Sequence, residues 1–118
     1  MAVLTQSTLY SAAGVATATV NTASASDTLT YVAGSNQVVE MHNTTAGSLT
    51  LVIKGSAPSA TYPVPNTSTT VDLSAGLSVV VAAGVKKLVN LDKISAYLAG
   101  NGTVTLSGAA TLSITVFA

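Results

Sequence analysis

Apolar residues alternate with polar ones in short windows along much of the chain, and this period of two constrains the fold more than any other feature. In the clearest window, residues 49–54, every second position holds a large aliphatic residue, namely Leu49, Leu51 and Ile53. Successive side chains of a strand point to opposite faces, so such a window predicts a strand buried on one face. Similar windows, some weaker, lie at residues 15–20, 27–32, 37–42, 69–73, 77–82, 103–107 and 112–116.

Short glycine-containing segments separate these windows and mark the turns between strands. They include residues 34–36, 44–47, 75–76, 83–84, 100–102 and 108–110. Val and Thr are abundant, and their β-branched side chains pack well on a pleated surface. A length of 118 residues suits one domain. The sequence therefore predicts a single all-β domain over residues 1–118, either a β-sandwich or a small β-barrel of antiparallel strands.

Two segments break the alternation. Residues 54–70 contain all three prolines, which predicts a long Pro-containing loop with a short edge strand near Tyr62.

Residues 90–98 place Leu91, Ile94 and Leu98 at helical spacing, after a suitable N-cap at Asn90 and before a stop at Gly100. We expect at most one short helix there, and the alternative is a corner where the chain crosses between sheets.

Charged side chains are scarce, and this excludes several functions. The chain has four lysines, four acidic residues, no arginine and a net charge of zero. Nucleic-acid binding requires several Lys or Arg side chains in contact with phosphates, so we do not expect this chain to bind nucleic acid. Without cysteine there are no disulfides and no thiolate metal sites. No apolar run approaches the length of about 18 residues that spans a membrane, and the N-terminus lacks the basic and apolar regions of a signal peptide.

The single histidine, His42, lies two residues from Glu40, so both side chains share one face of the predicted strand. Such a pair could serve as acid and base or as two metal ligands, but no third ligand lies nearby in sequence. The other acids, Asp27, Asp72 and Asp92, are scattered, and no nucleophile motif or phosphate-binding glycine loop occurs. We therefore expect a solvent-facing pair, no catalytic residues, no cofactor and no metal.

The threonine and tyrosine residues suggest two further functions to consider, a water-ordering surface and a carbohydrate-binding module. Thr-x-Thr pairs at 17/19, 28/30 and 103/105 could indicate a surface that orders water, but we expect them in separate strands, where β propensity explains them. A carbohydrate-binding module would need aromatic side chains on one loop face. Of the four tyrosines, Tyr62 in the proline segment is the one that could meet a ligand, and the alternative is that it packs on Pro63 and Pro65.

The N-terminal segment, residues 1–10, carries no charge, although a frayed terminus usually carries solubilising groups. One interpretation is an arm that adds as a strand to a neighbour's open sheet edge. The alternative, of equal weight, is an ordinary first strand of the domain's own sheet. The predicted partner interface combines this arm with the proline segment: Val3, Leu4, Leu9, Tyr10, Tyr62 and Pro63.

Two stretches resemble the small β-rich virion structural proteins of tailed phages. In residues 38–51 a strand ends in Asn43-Thr44, turns at Gly47 and returns as an alternating strand. Residues 94–108 are similar, and together the stretches cover about a quarter of the chain. The resemblance implies a capsid decoration or cement protein. Such a protein would be made in the host cytoplasm, bind the major capsid protein on the outside of a phage head and stabilise the lattice, with a trimer as the expected homo-oligomer.

The charge-poor composition is compatible with this interpretation. Monomeric β proteins protect their sheet edges with charges and prolines, which are sparse here, and a net charge near zero favours association. The alternative function is a carbohydrate-binding or host-attachment β-sandwich module, and an enzyme is the least favoured class.

We expect protein purified without added metal to contain no stoichiometric zinc or calcium, because the chain offers one histidine and four scattered acids. Elemental analysis checks this. Bound metal that disappears when Glu40 or His42 is replaced would contradict it.

Overall fold

The computed structural model describes residues 2–7, 18–56, 58, 61–98 and 100–117, which form twelve short strands and one 3₁₀ helix. The predicted all-β class, with one short helix, is confirmed. The strands are β1 Ala2–Val3, β2 Gln6–Ser7, β3 Val20–Thr22, β4 Ser26–Tyr31, β5 Val38–His42, β6 Leu49–Lys54, β7 Tyr62–Pro63, β8 Thr70–Val71, β9 Leu77–Val81, β10 Lys86–Asn90, β11 Gly102–Ser107 and β12 Ser113–Phe117, and the helix is Leu91–Tyr97.

The strands form two five-stranded sheets and a separate hairpin. The front sheet has the order β1-β4-β11-β6-β9. In the back sheet β10, β5 and β12 follow one another, and β2 and β3 both pair with the far side of β12. The pairing is antiparallel in both sheets except where β1 joins β4 and β2 joins β12 in parallel. Strands β7 and β8 form the hairpin. This is the arrangement of a β-sandwich.

The inward faces of the two sheets form one core, as the alternation predicts. Residues Leu51 and Ile53 of β6, and Ile114 and Val116 of β12, are each at most 1% exposed. The other buried members are Leu4, Ala23, Leu29, Tyr31, Val39, Met41, Val81, Leu91, Leu98, Val104, Leu106, Ala109 and Leu112. Outward positions between them carry Thr, Ser and a few charged residues.

The N-terminal residues 2–7 belong to the domain's own sheets. Strand β1 pairs with β4 in the front sheet, and β2 pairs with β12 in the back sheet. Between them the Leu4 amide donates to the Thr28 carbonyl over 2.8 Å, and the Leu4 side chain is 4% exposed in the core. These residues follow the alternative of an ordinary first strand. Leu4 is therefore corrected from a predicted partner contact to a core residue, because its side chain already has apolar neighbours.

The alternation did not predict β10. In this strand Leu88 lies on the outer face and is 66% exposed, while Lys87 pairs with buried Met41 and so stands on the core side. Because the apolar residue points outward and a lysine points inward, the alternation of the sequence does not predict a strand here. Its assignment to the sheet comes from its pairing with β5.

The 3₁₀ helix satisfies both interpretations of residues 90–98. It is a short helix, and it is also the corner where the chain crosses from β10 in the back sheet to β11 in the front sheet. Asn90 caps it as predicted, since its side-chain oxygen accepts from the Asp92 amide over 2.9 Å. The helix ends at Tyr97 and its C-cap is Leu98, two residues before the predicted stop at Gly100.

At the opposite end of the sandwich, Asn43 connects two crossings between the sheets. Its side-chain amide donates to the carbonyls of Gly47 and Val81, both over 2.8 Å, and its side-chain oxygen accepts from the Thr45 amide. The Asn43 main chain pairs with Gly84 and Val85 in the β9–β10 turn. Because all these groups are satisfied, a fully buried amide is stable there.

Gly55 ends β6 at a close approach between two chain segments. Its amide donates to the Tyr97 carbonyl over 2.9 Å, and a Cβ atom placed on it would overlap the main chain of Leu98. Here the chain leaves the front sheet and enters the predicted loop, which contains the β7–β8 hairpin. The predicted short edge strand near Tyr62 is present as β7.

We expect Gly55→Ala to lower the free energy of unfolding by about 2–3 kcal/mol, because the new methyl group forces two main-chain segments apart. The matched control is Gly47→Ala, where a Cβ meets nothing within 4 Å and the expected change is within about 0.5 kcal/mol. Chemical denaturation measures both. Equal effects of the two variants would contradict the close approach.

Candidate interaction surface

The β7–β8 hairpin is the most exposed regular element of the described residues. Between positions 61 and 72 each residue is exposed apart from Val64, which is half-buried. A two-stranded hairpin without packing on one face is marginally stable in water. The hairpin is therefore a candidate for contact with another protein. It carries Tyr62 and Pro63, the two predicted interface residues of the proline segment.

Local hydrogen bonds shape this hairpin. The Val64 amide donates to the Thr69 carbonyl over 3.2 Å, and the Thr67 hydroxyl donates to the Val64 carbonyl over 3.1 Å. Tyr62 lies opposite Val71, so the two side chains share one face, and they are 42% and 45% exposed. An aromatic residue beside a β-branched one is a favourable cross-strand pair. The pair presents an uncharged apolar patch.

The remaining predicted arm residues are not gathered at this patch. Val3 is exposed on β1, at the opposite edge of the front sheet from β9. Leu9 and Tyr10 lie outside the described residues. The structure therefore does not bring Val3 and Tyr62 together as one surface.

The four sheet edges differ in how they resist association. In the front sheet β1 has two residues, and in the back sheet β2 and β3 have two and three, so these edges are short. The β10 edge carries Lys86 and Lys87, and a charge on the core side, such as Lys87, opposes pairing with another strand. Strand β9, Leu-Ser-Val-Val-Val, has five residues and neither a charge nor a proline. Among the described residues β9 is the longest unprotected edge.

On the side of β9 away from β6 no strand of the described residues is paired, and the main-chain groups there belong to Ser78 and Val80. A Cβ placed on Gly76 would lie 2.7 Å from the Ile53 oxygen, so the Ile53 carbonyl points toward β9. Ile53 is opposite Leu77, and this is then a hydrogen-bonded pair in which Leu77 faces β6. Because direction alternates along a strand, the N–H and C=O groups of Ser78 and Val80 face away from β6.

Glu40 and His42 lie together on the outer face of the back sheet, as expected. Glu40 is 3.8 Å from the Lys86 ammonium, and His42 stands opposite Lys86 and Ser113 on the two neighbouring strands. Among the described residues no group of three His, Cys, Asp or Glu side chains is placed to hold a metal. An exposed ion pair of this kind contributes little to stability.

Two of the threonine pairs are neighbours in space, which the sequence did not indicate. Thr28 and Thr30 on β4 lie directly opposite Thr105 and Thr103 on β11. The expectation that these pairs stand in separate strands is correct, but the strands are adjacent and in register. They give the outer face of the front sheet a polar, uncharged surface on which Lys54 of β6 is the one charged strand residue.

Asp92 holds the β4–β5 loop against the 3₁₀ helix. Its carboxylate accepts hydrogen bonds from the Tyr31 hydroxyl over 2.6 Å and from the amides of Gly34 and Asn36, both over 2.9 Å. Burial, the hydrogen bond to Asp92 and the charge of Asp92 raise the pKa of Tyr31 to about 12. The Tyr31 hydroxyl and the two amides hold the pKa of the Asp92 carboxyl below its usual value. This carboxylate therefore has a structural role.

Asp27 is also used internally. It is buried beside the core, and its carboxylate accepts from the amide and the hydroxyl of Ser24. Asp27 and Asp92 thus hold parts of the fold together, whereas Asp72 accepts a hydrogen bond only within its own turn and Glu40 pairs with exposed Lys86. The sequence shows these acidic residues only as scattered. It does not indicate the role of Asp92, because the partners of its carboxylate lie 56 to 61 positions away.

The described residues contain no pocket for a small ligand. None of their helices has the length and apolar character needed to cross a bilayer. Comparison of the chain with protein-family models, with curated proteins and with solved structures finds no match in any of the three. The candidate functional features are therefore surfaces: the β7–β8 hairpin and the β9 edge.

We expect stability to fall in acid partly through Asp92. Its pKa is lowered by folding, so its stabilising contribution is present above the unfolded-state pKa of about 3.9 and is lost as the pH falls through the lower folded pKa. Asp92→Asn should lower the melting temperature at neutral pH and flatten its dependence on pH below about 4.

Asp72→Asn is the matched control for this experiment. Asp72 also has a lowered pKa, but its hydrogen bond goes to Ser74 in the same turn, so its replacement should change the melting temperature less. Thermal unfolding followed by circular dichroism across pH measures both variants. Indistinguishable profiles would contradict the role of Asp92 in holding the loop.

Proposed function

We propose that this chain is a virion structural protein, a capsid decoration or cement protein that binds the outside of a phage head and stabilises its lattice. The observation that carries the proposal is the exposed β7–β8 hairpin, whose cross-strand pair Tyr62–Val71 presents apolar side chains that are 42% and 45% exposed. An element that is marginal alone becomes stable when a partner covers it. The major capsid protein is the proposed partner.

The chemistry of the surface supports contact with protein. Interface cores are depleted in charged residues and enriched in aromatic ones, and here only 7% of all residues are charged. The faces of the two sheets carry mainly Thr, Ser and Val. Small-molecule sites are usually concave, and the described surface offers no such site. A neutral surface of this kind suits a protein that covers another protein.

Self-association is part of the proposal. The resemblance to small virion proteins implies a homo-oligomer, with a trimer as the expected form, located at the capsid surface. The neutral net charge of the chain favours association because copies do not repel one another at long range.

A carbohydrate-binding or host-attachment module is the other class of function with a feature in its favour, namely exposed Tyr62. Sugar-binding surfaces stack sugars on aromatic rings. Among the described residues, however, Tyr62 is the single aromatic side chain in the exposed class, and an isolated ring gives a small platform. The capsid proposal uses the whole hairpin, so it accounts for more of the exposed surface.

We expect the double variant Tyr62→Ser/Val71→Ser to fold normally but to bind phage heads that lack this protein about tenfold or more weakly, since aromatic anchors dominate binding energy. Co-sedimentation with such heads measures binding, and the heat resistance of the heads measures the stabilisation. Because the patch is uncharged, wild-type binding should change little with salt.

Leu88→Ser is the control for the hairpin variant. It removes an aliphatic side chain of β10 that is 66% exposed, more than either hairpin residue, and the expected binding is that of the wild type. Unchanged binding of the hairpin variant would contradict the assigned surface. Failure of the wild type to bind any head, together with saturable binding to a glycan, would favour the attachment module instead.

A further inference from the structure

We propose that β9 pairs with the β9 strand of a second copy of this chain, antiparallel and about a two-fold axis at Val79. The two front sheets then become one continuous ten-stranded sheet. The proposal rests on the proposed function only in that copies of this chain associate with one another; it gives that association a surface, and a two-fold dimer in place of the trimer. It does not depend on what else the protein binds.

The hydrogen-bonding groups of the β9 edge match those of its own copy. The outward main-chain groups are the N–H and C=O of Ser78 and of Val80. In the register centred on Val79, Ser78 lies opposite Val80 of the second copy, and Val80 lies opposite its Ser78. All four outward groups of each strand then form hydrogen bonds, as in a regular antiparallel ladder. A register shifted by two residues leaves some of these groups unpaired within the strand.

The side chains of β9 also gain from this pairing. On the core side Leu77 and Val79 are only half-buried, because they stand at the margin of the sandwich. Val79 and Val81 of the second copy come next to them and extend the core across the two-fold axis. On the outer face Val80 is 51% exposed, and its new neighbour is Ser78 of the second copy. Cross-strand contacts of this type stabilise a sheet.

Charge favours a second β9 as the occupant of this edge. Strand β9 carries no charge, so two copies meet without repulsion, whereas pairing of two β10 edges would bring lysines to the contact. A charged strand of another protein would find no opposite charge on β9 to compensate its desolvation. The chain's own β9 is a neutral β-branched strand with a matching hydrogen-bond pattern.

This contact closes on itself, because both copies use the same residues. It therefore produces a dimer, which differs from the trimer that the resemblance implies. The two arrangements are distinguished by mass in solution and by their sensitivity to changes in β9.

Sedimentation velocity over a range of concentrations tests the contact. The wild type should be a dimer, and Val80→Lys should weaken dimerisation about tenfold or more, since two new lysines would face each other diagonally on the outer face. Ser78→Pro should do the same by removing an outward N–H while leaving the bonds to β6 in place. Leu88→Lys adds the same charge to the β10 edge and should leave the dimer intact. Circular dichroism confirms that each variant is folded.

A single cysteine gives a direct test of the register, because the chain has no other cysteine. In the proposed pairing Val79 faces Val79 of the second copy as a non-hydrogen-bonded pair, with Cα atoms about 4.5 Å apart. That separation permits a disulfide, so Val79→Cys should cross-link under mild oxidation. The two Ser78 Cα atoms lie more than about 7 Å apart in this pairing, so Ser78→Cys should not form a disulfide between the copies.

The outcomes separate this inference from the capsid proposal. A wild type that stays monomeric at all concentrations, or a trimer indifferent to Val80→Lys, overturns the β9 dimer, as does cross-linking at residue 78 in preference to 79. A monomer that pairs β9 with a segment of another protein also overturns the second copy as occupant. Normal binding of the dimer-defective variants to phage heads would leave the capsid proposal standing, and failure of the wild-type dimer to bind any phage head would reject that proposal alone.

Discussion

The burial of one face of each sheet against the other is the interaction on which the rest of the structure depends. Each sheet has a single apolar face, and residues such as Ile53 and Ile114 have no exposed surface. The sandwich therefore needs connections that cross from sheet to sheet at its ends, and these connections carry the polar interactions of the fold. Asn43 connects two of them at one end, while Asp92 holds the β4–β5 loop and the helix at the other.

The surface that this burial leaves outside carries few charges. With the apolar side chains turned inward, the outer positions are occupied chiefly by Thr, Ser and Val, and two of the four acids serve as hydrogen-bond acceptors inside the fold. The chain thus has few charges left to keep copies apart or to protect an edge. Lys87 protects the β10 edge, and the N-terminal residues close the opposite side of each sheet with short strands. Among the described residues, β9 is left without such protection.

The hairpin and the β9 edge suggest two different kinds of contact. The hairpin offers side chains, Tyr62 and Val71, which fit an apolar depression on a partner. The edge offers main-chain groups, which fit another strand. A protein that uses both can associate with itself through one surface and with a different protein through the other, because the two surfaces do not share residues.

The sequence by itself determined the class of fold, because a period of two can bury one face only in a strand. It correctly placed β6, β9 and β12 and their inward residues, and it located the cap at Asn90. Only the tertiary structure showed that β10 belongs to the back sheet, because its exposed Leu88 inverts the alternation. It also placed Leu4 in the core, which follows from the pairing of this segment with β4. It also decided the role of Asp92 and showed that, within the part of the chain that the structure describes, β9 is a sheet edge. These features depend on neighbours that are distant in the chain, and local periodicity carries no information about which strands become neighbours or which become edges.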